Sequence, residues 1–397
     1  MPTLLQINVT ANWGSTGKIA EQIGVLAQQH GWESYIAYGR NINSSNNKII
    51  RIGCKISPYL HFVEQRIFDN EGLCSRLETK RLIRQIKRIN PDIINLHNIH
   101  DHYLNFKLLF EYLNETNIKV VWTFHDCWAI TGHCMHFITK NCYRWKTGCY
   151  DCPMKGEYPR NLLDRSKHNW HLKKQLFAHN KNLTIVACSD WLANFIRESY
   201  LKDKRLEVIH NGCDTKLFTP LPRQQSNKFR IIAVSNVWHP NKGELDIYKL
   251  RTMLPEDEYE IIMVGLSAEQ IKKLPMGIKG IQRTQNVQEL AQLYSDSDVL
   301  INPTYEDNFP TVNIEALACG TPVITYRTGG SPEAVDELTG VVIEQGNITV
   351  LCDKIKEFKT SQFKENHTND CRMRVLSIFN KEIFSSKYID LYESILE

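Results

Sequence analysis

Short apolar runs alternate with amphipathic stretches along almost the whole chain, and no other feature restricts the fold as much. Residues 4–9, 34–38, 93–97, 120–125, 183–188 and 206–209 read as strands. After the first of them Ile19, Ile23 and Leu26 recur at helical spacing, and Gly31 ends that helix. A second alternating set follows at 229–235, 260–264, 299–302 and 323–326. The pattern is that of a doubly wound α/β architecture. Between the two sets lies NGCDTKLFTPLPRQQSNK (211–228), rich in turn formers and proline and therefore the expected linker. At 397 residues the chain is too long for one ordinary core. The expected organisation is a first domain over 1–210, a second over 229–375 and a closing helix in 376–397. Ile383, Tyr388, Leu391 and Leu396 are that helix's candidate buried contacts, and packing back on the first domain is expected.

Hydrophobic content of 42% and charged content of 23% describe a globular chain. No apolar run approaches the ~18 residues that span a bilayer, and the first strand begins without a basic leader. A cytoplasmic location follows as an expectation. The net charge of +4 and pI near 8.3 are too mild to argue for nucleic acid. Most of the twelve cysteines are scattered singly, as small buried hydrophobes are.

Residues 302–336, NPTYEDNFPTVNIEALACGTPVITYRTGGSPEAVD, carry the strongest chemical signal. Pro310 suits the first position of a helix, with Asn308 or Phe309 as its cap. Thr311 and Val312 then present free N–H groups at the positive end of the helix dipole, a ready site for a diphosphate. Glu315 lies about one turn further in and can accept from two neighbouring hydroxyls, as a ribose presents. Asp307, ahead of the cap, is placed for hydroxyls of a second sugar. Either acid alone reads as ordinary solvated surface; the whole block, with GTPVI and GGSPE behind it, does not.

This block resembles the signature of the retaining glycosyltransferases of family 4, which have the GT-B fold of two Rossmann-like domains facing across a cleft. Their pattern is Glu, seven residues, Glu, an alanine-rich helix, GTPV and GGxxE. Glu315 matches the second acid, while Asp307 stands at the first with Glu306 one residue earlier. The resemblance implies that Glu315 binds the nucleotide ribose and that Asp307, or Glu306 beside it, contacts the donor sugar. It extends over most of the chain. VIHNGCDTKLFTP (208–220) matches the family's NGxDxxxF segment, and AVSNVWHPNKGELD (233–246) its first donor-domain loop. Lys242-Gly243 is present there, but the family's arginine falls at Asn236 or Val237. Lys242 is thus the implied cation for the leaving diphosphate, and Arg283 is expected near the base.

In the first domain, NWGSTGKIAEQ (12–22) is neither GxxxxGK[ST] nor GxGxxG. It resembles the family's glycine-rich loop, so Gly14 and Ser15 become donor-side candidates. WTFHDCWAITGHC (122–134) sets His125 and Asp126 at a strand end, where side chains meet ligands in open α/β sheets. By resemblance His125 contacts the donor sugar. Within the insert at 127–158, Cys134, Cys142, Cys149 and Cys152 form a candidate structural zinc site. His133 or His136 can replace a sulfur there, and disulfides or unliganded thiols are the alternatives. The insert looks like that of a subgroup working in polysaccharide synthesis, of the colanic-acid type. Lys80, Arg81, Arg84, Lys87 and Arg88 share one helix, either as a solvated face or as a patch for anionic lipid at the inner membrane face.

The expected activity is retaining transfer of a hexosyl-type sugar from a UDP- or GDP-sugar to a glycan or lipid-linked acceptor, without a catalytic metal. A sugar-nucleotide hydrolase or epimerase of the same fold is the alternative enzyme. A zinc-stabilised partner-binding protein is the alternative outside enzymes.

Overall fold

The computed structural model describes residues 1–397. They form two compact units: Met1–His210 with Ser385–Glu397, and Asn211–Phe384.

The first unit runs β1 (Thr3–Asn8), α1 (Gly14–Gln29), β2 (Glu33–Tyr38), β3 (Lys48–Arg51), α2 (Ser57–Phe68), α3 (Arg76–Ile89) and β4 (Ile93–Leu96). It continues with α4 (Phe106–Asn114), β5 (Lys119–Phe124), α5 (Ser166–His179), β6 (Leu183–Ala187), α6 (Asp190–Glu198) and β7 (Arg205–Val208). The seven strands pair in parallel in the order β3-β2-β1-β4-β5-β6-β7. Strands β1, β4 and β6 are buried along their whole length, as a sheet covered by helices on both faces requires. Phe106, Phe110, Trp122, Trp128 and Phe177 pack edge-to-face or tilted on one side of it.

The second unit repeats the plan with β8 (Phe229–Val234), α7 (Glu244–Met253), β9 (Tyr259–Val264), α8 (Ala268–Lys272), β10 (Ile278–Ile281), α9 (Val287–Asp296) and β11 (Val299–Asn302). Then come α10 (Thr311–Ala318), β12 (Val323–Tyr326), β13 (Gly340–Ile343), α11 (Ile348–Thr360) and α12 (Phe363–Arg374); the closing helix α13 (Lys381–Leu396) belongs to the first unit from Ser385 onward. Its six strands are parallel in the order β10-β9-β8-β11-β12-β13. Ile231, Ile261, Met263, Ile301 and Ile324 centre its core, closed by Leu250, Leu351 and Ile355 from α7 and α11.

In both sheets the strand order reverses beside the first strand, between β1 and β4 and between β8 and β11. Ligands of open α/β sheets gather at the carboxyl ends of strands next to such a reversal. Three strands fall outside the apolar runs read from the sequence: β3, β10 and β13. All three lie at sheet edges, where a strand is covered on fewer sides and needs less apolar sequence. Near the end of α13, Tyr392 Oη accepts from Asn95 Nδ2 at 2.7 Å, and Tyr388 Oη meets Thr123 Oγ1 at 3.1 Å. These bonds satisfy polar groups in the middle of the first sheet.

Candidate active site

In the second unit three loops at strand carboxyl ends meet: 235–243 after β8, 303–310 after β11, and 327–330 after β12. Glycine lets them approach. Gly243 has φ +75°, and a Cβ there would lie 2.1 Å from Pro303 O. Gly329 has φ +54°, and a Cβ would lie 1.6 Å from Asp307 O. Neither position admits a side chain.

Between these loops Lys242 Nζ donates to Asp307 Oδ2 at 2.7 Å and to Glu306 O at 2.9 Å. Asn241 Nδ2 donates to Glu306 Oε2 at 3.1 Å, and Asn241 O accepts from Tyr305 N–H at 2.8 Å. The lysine, both acids and the loop that carries them are thus tied into one constellation. Lys242 and Asp307, expected to serve different parts of a ligand, are partners of each other.

Helix α10 begins at Thr311, with Pro310 as an extended N-cap at φ −71°, ψ 114° and no side-chain cap bond. The expected start at Pro310 and capping by Asn308 or Phe309 are therefore corrected by one residue. Asn308 and Phe309 are buried and shape the loop, Asn308 O accepting from Gly330 N–H at 3.0 Å. Without a side-chain cap, the first-turn N–H groups of Thr311 and Val312 stay open for an acceptor. Glu315, one turn on, accepts from Tyr294 Oη at 3.2 Å. Burial and the Glu315 carboxylate both push the Tyr294 phenol well above its ordinary range, so it stays a donor. Tyr294 is an orienting residue that sequence reasoning missed; on α9 it carries no local signal. Asp246 was missed likewise: buried, it accepts from both Tyr305 and Tyr326 Oη at 2.7 Å. Asn236 and Arg283 lie exposed in the loops after β8 and β10.

In the first unit Gly14 and Ser15 open α1, exposed, behind Trp13 as an N-cap without a side-chain bond. His125 follows β5 and meets His97, which follows β4, with Nε2 3.0 Å from His97 Nδ1 and the rings stacked at 5.3 Å. The neighbours settle the proton positions. Gln6 Nε2 donates to Ala20 O at 2.7 Å, which leaves Gln6 Oε1 as acceptor for His97 Nε2–H at 3.1 Å. His97 Nδ1 must then accept, so His125 donates through Nε2 and carries its lone pair on Nδ1. Burial pushes both rings down, His97 well below the ordinary histidine range and His125 to about 4, so the pair is neutral near pH 7.

Asp126, expected to face a ligand beside His125, turns away instead. Its carboxylate accepts from His100 Nε2 at 2.8 Å and from Trp128 N–H at 2.8 Å. Burial alone would raise its pKa, but His100 holds it down at about 2. The two residues after His100, Asp101 and His102, take left-handed φ of 79° and 69°, and buried Glu71 secures this strained turn by accepting both backbone N–H groups.

The insert after β5 is built from short 3-10 turns at Trp128–Ile130, Ile138–Lys140 and Arg144–Lys146. Cys134, Cys142, Cys149 and Cys152 all line one small pocket with His133, and all four are free thiols. His133 Nδ1 lies 2.8 Å from Asp69 Oδ1, while its Nε2 is buried with no hydrogen-bond partner. A carboxylate behind one ring nitrogen and an orphaned lone pair on the other is the arrangement of a metal-ligating histidine. Buried Lys173 fixes the start of the insert, donating to Trp128 O at 2.8 Å and Thr131 O at 3.1 Å.

Two family models tile the chain. Residues 26–217 match the Glycosyltransferase Family 4 model, and residues 228–360 match Glycosyl transferases group 1. Over these segments the chain is similar to the glycosyltransferases of both models. It is 23% identical to the putative colanic acid biosynthesis glycosyl transferase WcaC of Escherichia coli K12, over 99% of this chain and 100% of that protein. Among solved structures, a sucrose-phosphate synthase from Thermosynechococcus elongatus superposes with a TM-score of 0.75 at 18% identity, over 100% and 99% of the two chains. Anabaena HepE, solved in complex with UDP, superposes with a TM-score of 0.69 at 14% identity, over 99% and 100%. These likenesses show the GT-B fold. No helix of this glycosyltransferase is long and apolar enough to cross a membrane.

Proposed function

We propose that the chain transfers a sugar from a nucleoside diphosphate, with retention at the anomeric carbon, to a hydroxyl of a glycan or lipid-linked glycan during surface polysaccharide synthesis. The observation that carries the reading is Lys242, held by Asp307 and the Glu306 carbonyl between strand-end loops of the unit whose helix α10 starts uncapped. Lys242 and the N–H groups of Thr311 and Val312 take the diphosphate charge that grows as the glycosidic bond breaks. Glu315, steadied by Tyr294, takes the ribose hydroxyls, and Asp307 or Glu306 takes sugar hydroxyls. Asn236 and Arg283 border the nucleotide. The leaving phosphate accepts the proton of the acceptor hydroxyl, and no residue is assigned as a covalent nucleophile. The likeness to WcaC supports a polysaccharide product, and HepE, solved with UDP-glucose, supports a UDP-sugar as first donor to try.

A saturation-transfer screen of UDP- and GDP-sugars tests the donor assignment. Binding that depends on the nucleotide and disappears in Glu315→Ala is expected. An absence of binding by every nucleoside diphosphate would sink the reading.

The pocket of the insert is assigned to a structural zinc. Thiolates from Cys134, Cys142, Cys149 and Cys152 would fill a tetrahedral site and leave no position for water, with His133 as the ligand that replaces one sulfur if the site is mixed. Metal analysis of the purified chain should give one zinc per molecule, lost in Cys149→Ser/Cys152→Ser. Retention in His133→Gln would make the site all-sulfur. Clearly substoichiometric metal in the unaltered chain would overturn the assignment.

A further inference from the structure

Helix α2 is turned inside out. Its two fully buried side chains are polar. His61 meets Ser75 Oγ at 2.9 Å and accepts from Gly72 N–H at 3.3 Å, while Gln65 donates to Asn161. Its outward side chains are apolar: Tyr59 is 73% exposed, Leu60 67% and Val63 55%, with Phe62, Ile67 and Phe68 beside them. The helix's last carbonyls, of Arg66 and Ile67, accept from the N–H groups of Leu162 and Leu163 at 2.9 and 3.3 Å. Those two leucines are themselves 65% and 50% exposed, so the apolar surface continues from the helix onto a second segment. A contiguous patch of this kind marks a surface that something covers.

The surrounding charge says what. Glu64, the only carboxylate on α2, accepts from Asn70 Nδ2 at 2.8 Å, so its charge is partly engaged within the chain. Exposed Lys55 precedes the helix, and Arg66 Nη1 lies 3.2 Å from Arg160 O, placing two arginines at the seam with 162–163. Through the His61–Ser75 bond α2 adjoins the start of α3, which exposes Lys80, Arg81, Arg84, Lys87 and Arg88. A second copy of the chain packed on this patch would set like charges against one another. An anionic bilayer takes aliphatic side chains and cations together.

We propose that the outer face of α2, with Leu162 and Leu163, docks the chain on an anionic phospholipid surface, with α3 supplying further cations to the headgroups. The surface is independent of the transfer chemistry and uses none of its residues.

Sedimentation of the whole chain with vesicles of phosphatidylcholine alone, or mixed with phosphatidylglycerol, tests it. Binding to the mixed vesicles and little to the neutral ones is expected. Leu60→Ser/Val63→Ser should weaken it by roughly tenfold or more, and Arg81→Gln/Arg84→Gln by roughly fivefold per charge. Far-ultraviolet circular dichroism and the melting temperature, unchanged in both variants, report that they fold. Equal binding to neutral vesicles, or mixed-vesicle binding that neither variant weakens, would overturn the proposal. So would failure to sediment combined with self-association that Leu60→Ser/Val63→Ser abolishes, which would make the face a contact between copies.

Discussion

In the second unit Lys242 meets Asp307 at 2.7 Å with about a quarter of each side chain exposed, whereas in the first His125 meets His97 at 3.0 Å in surroundings dry enough to keep both rings neutral. Both pairs sit on loops at the carboxyl ends of parallel strands. The difference lies in what each pair can exchange. An ion pair open to solvent contributes at most about 1 kcal/mol, so Lys242, a quarter exposed, can leave Asp307 for a phosphate at little cost. The histidine pair is fixed by a chain of bonds from Ala20 through Gln6, and no ligand can take its place without orphaning a buried donor. The lysine pair is open to exchange, and the histidine pair holds a single tautomer.

The sharpest way to break this comparison is to remove the lysine. Lys242→Ala should lower kcat/KM by roughly 10²–10³-fold, as loss of a group that stabilises transition-state charge does. Steady-state kinetics at wild-type level would remove Lys242 from the chemistry. Next, His125→Ala should lower transfer by roughly 10–100-fold, the value of about one charge-assisted hydrogen bond, with nucleotide affinity intact by calorimetry. A parallel loss of nucleotide affinity would contradict the separation of roles.

The pH dependence of stability sharpens the electrostatic half. His97 and His125 have lowered folded pKa values, so below the unfolded value near 6.5 the unfolded chain binds more protons, and stability falls as pH drops from about 6.5 toward 4. His102 is the opposite case. Burial would lower its pKa, but Asp101 and Glu71 raise it to about 9. Its contribution is complete below about 6.5 and lost as pH rises through 9. Melting temperatures should therefore fall on both sides of neutrality, and His102→Gln should flatten only the alkaline side. The smallest effect is expected from Asp307→Asn, which should change stability by less than about 1 kcal/mol in urea titrations while altering activity. A larger loss would mean that the pair is structural rather than exchangeable.

Much of the second site was legible because its signals are local. Pro310, the acids on either side of it and the glycines that follow lie within one short stretch, and cap chemistry acts over one turn. Even so the helix start shifted by a residue, since an extended Pro310 serves as cap when no neighbouring side chain does. The first site was less legible. His125 stood out at a strand end, but Asp126 beside it was misread as facing a ligand, because its partner His100 comes from a different strand's loop. Tyr294 and Gln6 gave no sign at all. Their importance rests on a bond to a residue far along the chain.

By itself the sequence determined two parallel α/β sheets and an acidic block at a helix start, because burial periodicity and capping are decided among near neighbours. The tertiary structure alone decided which groups face each other. Lys242 and Asp307 are 65 residues apart, and Gln6 and His97 are 91 apart. It also decided which side of α2 turns inward. An apolar stripe on a helix is normally the inner one. Here Ser75 and Asn161, 14 and 96 residues away from their partners, satisfy His61 and Gln65 inside and leave the apolar stripe outside.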